Sequence, residues 1–264
     1  MIARHWTWTR ARATGTSHTA RGEGCDDFAA CLELASSTGP VFIAVVSDGA
    51  GSAEHSSIGS RIVCREFLNF ARSFLGSGRQ PIDFVEADVL DCLDAIRDHI
   101  EVEASALASH PRAFAATLVG CIVHSNSSAF IHVGDGAAVY RVENESDWRV
   151  ASWPSQGEYA STTHFVTDSP EPRFSLVVVE SLVDTVAVFT DRLERLALDF
   201  AKKEAFPNFF KGMFSSLSDK KSGHDRKLSV QLKDFLDSPS VCDRTDDDKT
   251  LILAQRIIPQ CRPR

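Results

Sequence analysis

The sequence predicts an α+β fold in which sheets and helices lie in layers, and three observations carry that expectation. Strand-like and helix-like stretches come in blocks, which argues against a regular βαβ series. Two long amphipathic helices follow one another directly. Apolar strands stand on both sides of that pair, so each helical stripe has a surface to cover.

Taken in order, Trp6 and Trp8 alternate with Thr7 and Thr9, which fits an edge strand with one apolar face. Strands are expected at 28–34 and 41–47; the second ends in Ser47-Asp48-Gly49, where a buried run enters a tight turn. A helix follows, with Ser52 as its cap, Glu54 in its first turn and Val63, Phe67, Phe70 and Phe74 on one face. Gly76 and Gly78 end it. A second helix begins near Pro81 and carries Ile82, Val85, Val89, Leu93, Ile96 and Ile100 at steps of three or four. Strands at 117–124, 129–133 and 138–142 read as an antiparallel meander, with turns at 125–128 and at Gly134-Asp135-Gly136. Further strands are expected at 148–152, 174–180, 185–189 and 250–255, helices at about 193–214 and 228–236, and a surface loop at 215–223.

Composition limits the function. The 264 residues carry 28 Lys and Arg against 36 Asp and Glu, a net charge of −8, which disfavours a partner with a nucleic-acid backbone. Apolar runs fall far short of the ~20 residues of a membrane helix, and the N-terminus lacks a signal core, so neither a membrane nor a secretory route is expected. The seven cysteines, at 25, 31, 64, 92, 121, 242 and 261, are scattered and include no C-x-x-C pair. Cys64, Cys92 and Cys121 read as small buried hydrophobes in a reducing compartment, and a cytoplasmic location follows.

The chemistry is written in acids at strand ends. Three apolar strands run into Asp48, Asp135 and Asp191, while Asp26-Asp27 and Asp246-Asp247-Asp248 each precede another. Any one Asp can serve as a turn former. Several held together repel one another unless a hard cation sits between them, so the recurrence points to Mg²⁺ or Mn²⁺ bound by oxygen.

Six motifs in order resemble the metal-dependent phosphatases of the protein phosphatase 2C family, in its bacterial branch. They are Gly15-Thr16-Ser17-His18 with Cys25-Asp26-Asp27; Asp48-Gly49-Ala50-Gly51-Ser52 with a helix containing Gly59 and Ser60; Ala116-Thr117 with Gly134-Asp135-Gly136; Gly157-Glu158-Tyr159 with Thr163 and Phe165; Thr190-Asp191; and Asp247-Asp248-Lys249-Thr250. The resemblance implies one domain over residues 1–264 with an αββα sandwich, two antiparallel sheets faced by helices. It implies two metal ions and a weaker third. Asp48 would bridge two ions, Asp191 and Asp247 would complete the first, and Asp26 with the Gly49 carbonyl would hold the second. Asp135 would serve the third together with Asp191, and Asp27 would bind coordinated water. Substrates would be phosphoserine and phosphothreonine proteins, in opposition to a kinase, with water as the nucleophile.

The chain departs from the family pattern at three places. Arg192 stands where glycine is usual, and three roles are open to it: binding substrate phosphate, pointing outward, or competing with a metal for Asp191. Gly22 stands where many members have a phosphate-binding arginine, with Arg21 one residue away. Asp248 stands where asparagine is common. Position 50 is alanine where some relatives carry a histidine acid, which leaves His55 to be weighed as acid or phosphate contact against an exposed first-turn residue. His18 is expected to orient the N-terminal strand. Arg192 is also the feature that favours the alternative function, a pseudophosphatase that binds phosphoproteins or signalling partners without turnover.

Overall fold

A computed structural model describes residues 4–154, 163–169, 173–217 and 221–257. In chain order the strands are β1 (His5–Ala13), β2 (Phe28–Ser36), β3 (Gly39–Ser47), β4 (Leu118–Val123), β5 (Ser128–Val133), β6 (Ala137–Val142), β7 (Arg149–Val150), β8 (Ser175–Val179), β9 (Val183–Phe189), β10 (Leu198–Asp199), β11 (Glu204–Ala205), β12 (Gly223–His224) and β13 (Lys249–Ile257). The helices are α1 (Thr16–Arg21), α2 (Ser56–Gly76), α3 (Glu86–Ala106), α4 (Glu194–Ala197), α5 (Pro207–Ser215), α6 (Arg226–Leu236) and α7 (Pro239–Cys242).

Two sheets stack face to face. One runs β2-β3-β4-β5-β8 and the other β12-β1-β13-β9-β6-β7; every pairing within them is antiparallel except β1 with β12. Strand alternation divides the core into three clusters. On β3, Phe42, Ala44 and Val46 point between the sheets, while Val41, Ile43 and Val45 pack under α2 and α3. On β13, Ile252 and Ala254 join the inter-sheet cluster, while Leu251 and Leu253 lie under α5 and α6. A strand buried on both faces has no polar side to show, and that accounts for the continuous apolar runs. The layer order is helices, sheet, sheet, helices.

Several local expectations are corrected. The meander is broken after β5: β6 belongs to the other sheet and pairs with β9 and β7. The residues that redirect the chain are Gly134 and Gly136, with φ of +97° and +90°. A Cβ at Gly134 would lie 2.6 Å from the His164 carbonyl oxygen, so only glycine fits this crossing between sheets. The helix expected over 193–214 is interrupted by the β10–β11 ribbon, where Lys203 has φ of +54°. His55 rather than Ser52 holds the N-cap position of α2. A short 3-10 turn (Pro81–Asp83) precedes α3, which leaves Ile82 and Val85 exposed while Val89, Leu93, Ile96 and Ile100 are buried. Strand β1 is flanked by β12 and has both faces covered, since Thr7 and Thr9 are buried along with Trp6 and Thr9 Oγ1 meets Ser229 Oγ of α6 at 2.9 Å. The strand expected at 148–152 shrinks to Arg149–Val150. In the expected surface loop Leu217 is buried and Gly223 pairs with Thr7, while 218–220 lie outside the described residues.

Cys64, Cys92 and Cys121 are buried free thiols, and burial pushes those of Cys92 and Cys121 up to about 12. Cys261 lies outside the described residues. Among the described residues no helix is long and apolar enough to cross a membrane.

Helix α2 approaches the turn before β4 so closely that a Cβ at Gly59 would sit 2.1 Å from the Phe114 carbonyl oxygen, whereas one at Gly76 would meet nothing within 4 Å. Gly59→Ala is therefore expected to destabilise the protein by about 1–3 kcal/mol and Gly76→Ala to change stability by less than about 0.5 kcal/mol. Urea unfolding of both variants measures the contrast.

Candidate metal centre

Strand register brings the acids to one end of the sandwich. Phe28 of β2 pairs with Ser47 of β3, and Val46 with Val119 of β4, so Asp27, Asp48 and Thr117 share one end of their sheet. In the facing sheet Phe189 of β9 pairs with Leu251 of β13 and Ala137 of β6, and Ala13 of β1 pairs with Lys249. Asp191, Asp135 and Asp247 therefore emerge at the matching end. Side chains fixed at the ends of paired strands start from a rigid backbone.

Each acid is held differently. The Asp48 backbone is clamped by Thr117, whose N–H donates to the Asp48 carbonyl at 2.9 Å and whose Oγ1 accepts from the Asp48 N–H at 3.0 Å. Asp27 is buried, and its Oδ2 accepts from Thr190 Oγ1 at 2.9 Å and Thr250 Oγ1 at 2.7 Å. Asp135 Oδ2 accepts from Thr163 Oγ1 at 2.7 Å. The remaining oxygens, Asp27 Oδ1, Asp135 Oδ1 and Asp191 Oδ1, are buried and lack a hydrogen-bond partner among the described residues. An unsatisfied buried carboxylate oxygen is costly, and three in one cluster make a donor set for a hard cation.

The electrostatics agree. Burial, then Asp27, Asp191 and Asp135, push Asp48 well above the usual carboxylate range. Burial with Asp248 and Asp191 raises Asp27 to about 7 despite the two threonine hydroxyls. Asp191 is pushed up to about 6 by burial and Asp135, with Arg192 opposing. Asp26 is raised mainly by burial, against a hydrogen bond from Ser56. These groups resist ionising together, and a divalent ion among them would reverse that resistance.

The backbone is crowded at Gly49: a Cβ there would lie 2.8 Å from the carbonyl oxygens of both Asp26 and Ser56. Asp248 turns out to be a tie rather than a free acid. Its Oδ1 accepts from Gly15 N–H at 2.7 Å and its Oδ2 from Asp26 N–H at 2.6 Å, which joins both N-terminal motifs to the start of β13. His18 lies on α1. It sits 3.3 Å from Asp247 Oδ1 and 3.5 Å from Asp248 Oδ2, and although burial opposes its charge, the Gly24 carbonyl and Asp248, Asp247 and Asp26 together raise its pKa.

Arg192 reaches into the cluster. Its Nη2 donates to Asp247 Oδ2 at 2.8 Å and its Nε lies 3.3 Å from Asp191 Oδ2, so one guanidinium spans two of the expected ligands. Arg21 and His55 have other contacts. Arg21 pairs with Glu23 at 2.7 Å on the exposed surface, and the His55 ring packs on Phe114 at 5.0 Å between centroids. His132, in β5, bonds Ser152 Oγ at 2.6 Å, and burial lowers it to about 4. Gly157, Glu158 and Tyr159 lie outside the described residues.

Sequence reasoning gave Glu194 no role. Its Oε1 accepts from Gly136 N–H at 2.7 Å, which pins the turn carrying Asp135, and burial lifts it to about 8. Thr117, Thr163, Thr190 and Thr250 were visible only as letters of motifs; for Thr190, directly before Asp191, and Thr250, two residues after Asp248, adjacency to strand-end aspartates is the signal that could have marked them as carboxylate holders.

The sequence profile of the protein phosphatase 2C family matches residues 14–237. Serine/threonine-protein phosphatase 3 of Escherichia coli (strain K12) is 32% identical over 253 residues, covering 94% of this chain and 98% of that protein. The chain belongs to the protein phosphatase 2C family. It is thus a serine/threonine phosphoprotein phosphatase, a hydrolase dependent on divalent metal. The fold agrees with solved structures at lower identity. The catalytic domain of the serine threonine protein phosphatase PstP, in complex with two manganese ions, has a TM-score of 0.60 at 12% identity, with 97% of this chain and all of that one covered. Stp1 from Staphylococcus aureus has 0.57 at 17%, with 97% and 95% covered.

A raised carboxyl pKa in the fold means that folding takes up protons. Its stabilising effect is complete below the unfolded pKa of about 4 and is lost as pH rises through the folded value. For Asp191, Asp27 and Glu194, with folded values of about 6, 7 and 8, that window extends to about pH 8. Metal-stripped protein is therefore expected to lose thermal stability from pH 5 to pH 8, and Mn²⁺ to raise Tm more at pH 8 than at pH 5.5, where protons compete. Differential scanning fluorimetry with and without Mn²⁺ checks both signs.

Proposed function

We propose that this phosphatase hydrolyses phosphoserine and phosphothreonine monoesters in a protein substrate with two divalent ions, Mg²⁺ or Mn²⁺, and a weaker third. The observation that carries the reading is the convergence of Asp27, Asp48, Asp135 and Asp191 with three unsatisfied buried carboxylate oxygens. Asp48 would bridge the two ions, Asp191 and Asp247 would complete the first, and Asp26 with the Gly49 carbonyl would hold the second. Asp135 with Asp191 would hold the third. Ions so held supply the Lewis acidity that makes water nucleophilic near neutral pH and offset charge on the phosphoryl oxygens.

The chain's own groups orient the reaction. Asp27, fixed by Thr190 and Thr250 through one oxygen, keeps its other oxygen free to accept a hydrogen bond from the attacking water. Arg192 is half exposed at the rim and contacts Asp191 and Asp247, whereas Arg21 is engaged with Glu23. Once cations take Asp191 and Asp247, its guanidinium is free to hold substrate phosphate in a bidentate manner. The reading places the protein in the cytoplasm, opposing a kinase, with residues 1–264 acting as one catalytic domain.

The same arginine supports a second reading. A guanidinium bonded to Asp191 and Asp247 can also compete with metal for them, which would leave a pseudophosphatase that binds phosphoprotein without turnover.

Hydrolysis of a phosphothreonine peptide with and without Mn²⁺ separates the two. Catalysis predicts Mn²⁺-dependent turnover in wild type, a loss of at least 10³-fold in Asp48→Asn, and a higher KM in Arg192→Gly. Turnover absent from wild type but present in Arg192→Gly would establish the second reading.

A further inference from the structure

Between α3, the turn before β4 and segment 163–169 lies a cavity of about 610 Å³. Arg97, His110, Arg112, His164 and Arg173 line it, a concentration of basic groups on a chain of net charge −8. Arg97 has a holding role: its Nε donates to the Val166 carbonyl at 2.8 Å and its Nη2 to the Asp168 carbonyl, which fastens the segment to α3. Arg112 and Arg173 are exposed, and neither forms an ion pair among the described residues.

Two carboxylates face the same space. Asp168 is engaged, because its Oδ2 accepts from Phe165 N–H at 3.0 Å and lies 3.4 Å from His164 Nδ1. That leaves Glu101 against two uncommitted guanidinium groups. One imidazole adds a donor. His110 Nδ1 accepts from Arg112 N–H at 3.2 Å, so its Nε2 carries the proton, while His164 Nε2 is buried with no hydrogen-bond partner among the described residues. Thr167 and Ser169 contribute hydroxyls at the wall. Planar guanidinium groups with hydroxyl and imidazole donors suit a phosphate-type oxyanion.

The cavity borders the acid cluster. Thr163, which bonds Asp135, is the residue before His164, one ~3.8 Å step along the chain. On the other wall Arg112 is four residues from Ala116, which bridges to Gly49, a span of at most about 14 Å. A peptide with one phosphate at the acids could place another anionic side chain in the cavity with up to about four residues between.

We propose that this cavity binds a second phosphorylated side chain of the same substrate polypeptide, so that multiply phosphorylated segments are preferred. The proposal rests on the phosphatase reading for its geometry, and its test separates the two. The full chain with Mn²⁺ is given peptides bearing one phosphothreonine or two, separated by two residues, and initial phosphate release is measured. Fluorescence anisotropy of labelled peptides of the same sequences, carrying non-hydrolysable phosphonate analogues of the phosphothreonines, is followed on wild type with Mn²⁺.

The doubly phosphorylated peptide is expected to have a KM at least 10-fold lower, beyond a statistical factor of two, and to bind at least 10-fold more tightly. Arg112→Ala/Arg173→Ala should abolish both preferences while leaving the singly phosphorylated peptide unchanged, and Arg65→Ala, an exposed arginine on α2, should retain them. Turnover without preference, or a preference that survives the double substitution, overturns the proposal and leaves the catalytic reading standing. Preferential binding that the double substitution abolishes, in a protein that turns over neither peptide, supports the anion site and removes the catalytic reading.

Discussion

Mutual repulsion among carboxylates out of water is the constraint on which the rest of this structure depends. Asp27, Asp48, Asp135 and Asp191 would each be more stable apart and hydrated. They are held together because every one leaves the end of a strand whose register is fixed by pairing within a sheet, and because the sheets are locked by side chains such as Phe42, Phe130 and Ile252 between them. The helical layers complete the clamp, with Phe67 and Ile96 buried on one side and Phe210 and Leu232 on the other. Packing energy spread over the whole sandwich thus sustains a local concentration of charge that a cation can relieve.

Neutral groups set the geometry. Thr117, Thr163, Thr190 and Thr250 each hold an aspartate or its backbone, leaving chosen oxygens free. Neighbouring acids take opposite duties for the same reason. Asp248 spends both oxygens on the N–H groups of Gly15 and Asp26, whereas Asp247 next to it faces His18 and Arg192. An asparagine could meet only one of those two N–H groups through its carbonyl, so the carboxylate at this position has a structural reason of its own.

The strand ends and the acids were legible because buried strands leave long apolar runs and because Asp after such a run is a local pattern. The four-layer order came from resemblance to a family, since periodicity alone names layers without counting them. What could not be read was set by contacts distant in sequence. The turn at Gly134-Asp135-Gly136 looks like a hairpin and is a crossing between sheets, a difference settled by which strand β6 finds, β9, some forty residues on. The apolar spacing over 193–214 continues through a break because the β10–β11 ribbon also buries Leu198 and Ala205. Glu194 and Asp248 carried no local signal, as their partners lie 58 residues or more away.

Arg192 departs from the family pattern and contacts two of the proposed metal ligands. Its guanidinium provides one positive charge to Asp191 and Asp247, whereas the proposed ions would provide more and leave it for phosphate. The central claim is that these acids exist to hold divalent cations. Mn²⁺ stoichiometry and affinity at pH 7.5, followed by electron paramagnetic resonance of the free ion, test it most directly on wild type, Asp48→Asn and Arg192→Gly. The account predicts two ions bound by wild type, the pair lost in Asp48→Asn and tighter binding in Arg192→Gly; wild type that leaves Mn²⁺ free, or an Asp48→Asn protein that binds as wild type does, would contradict it.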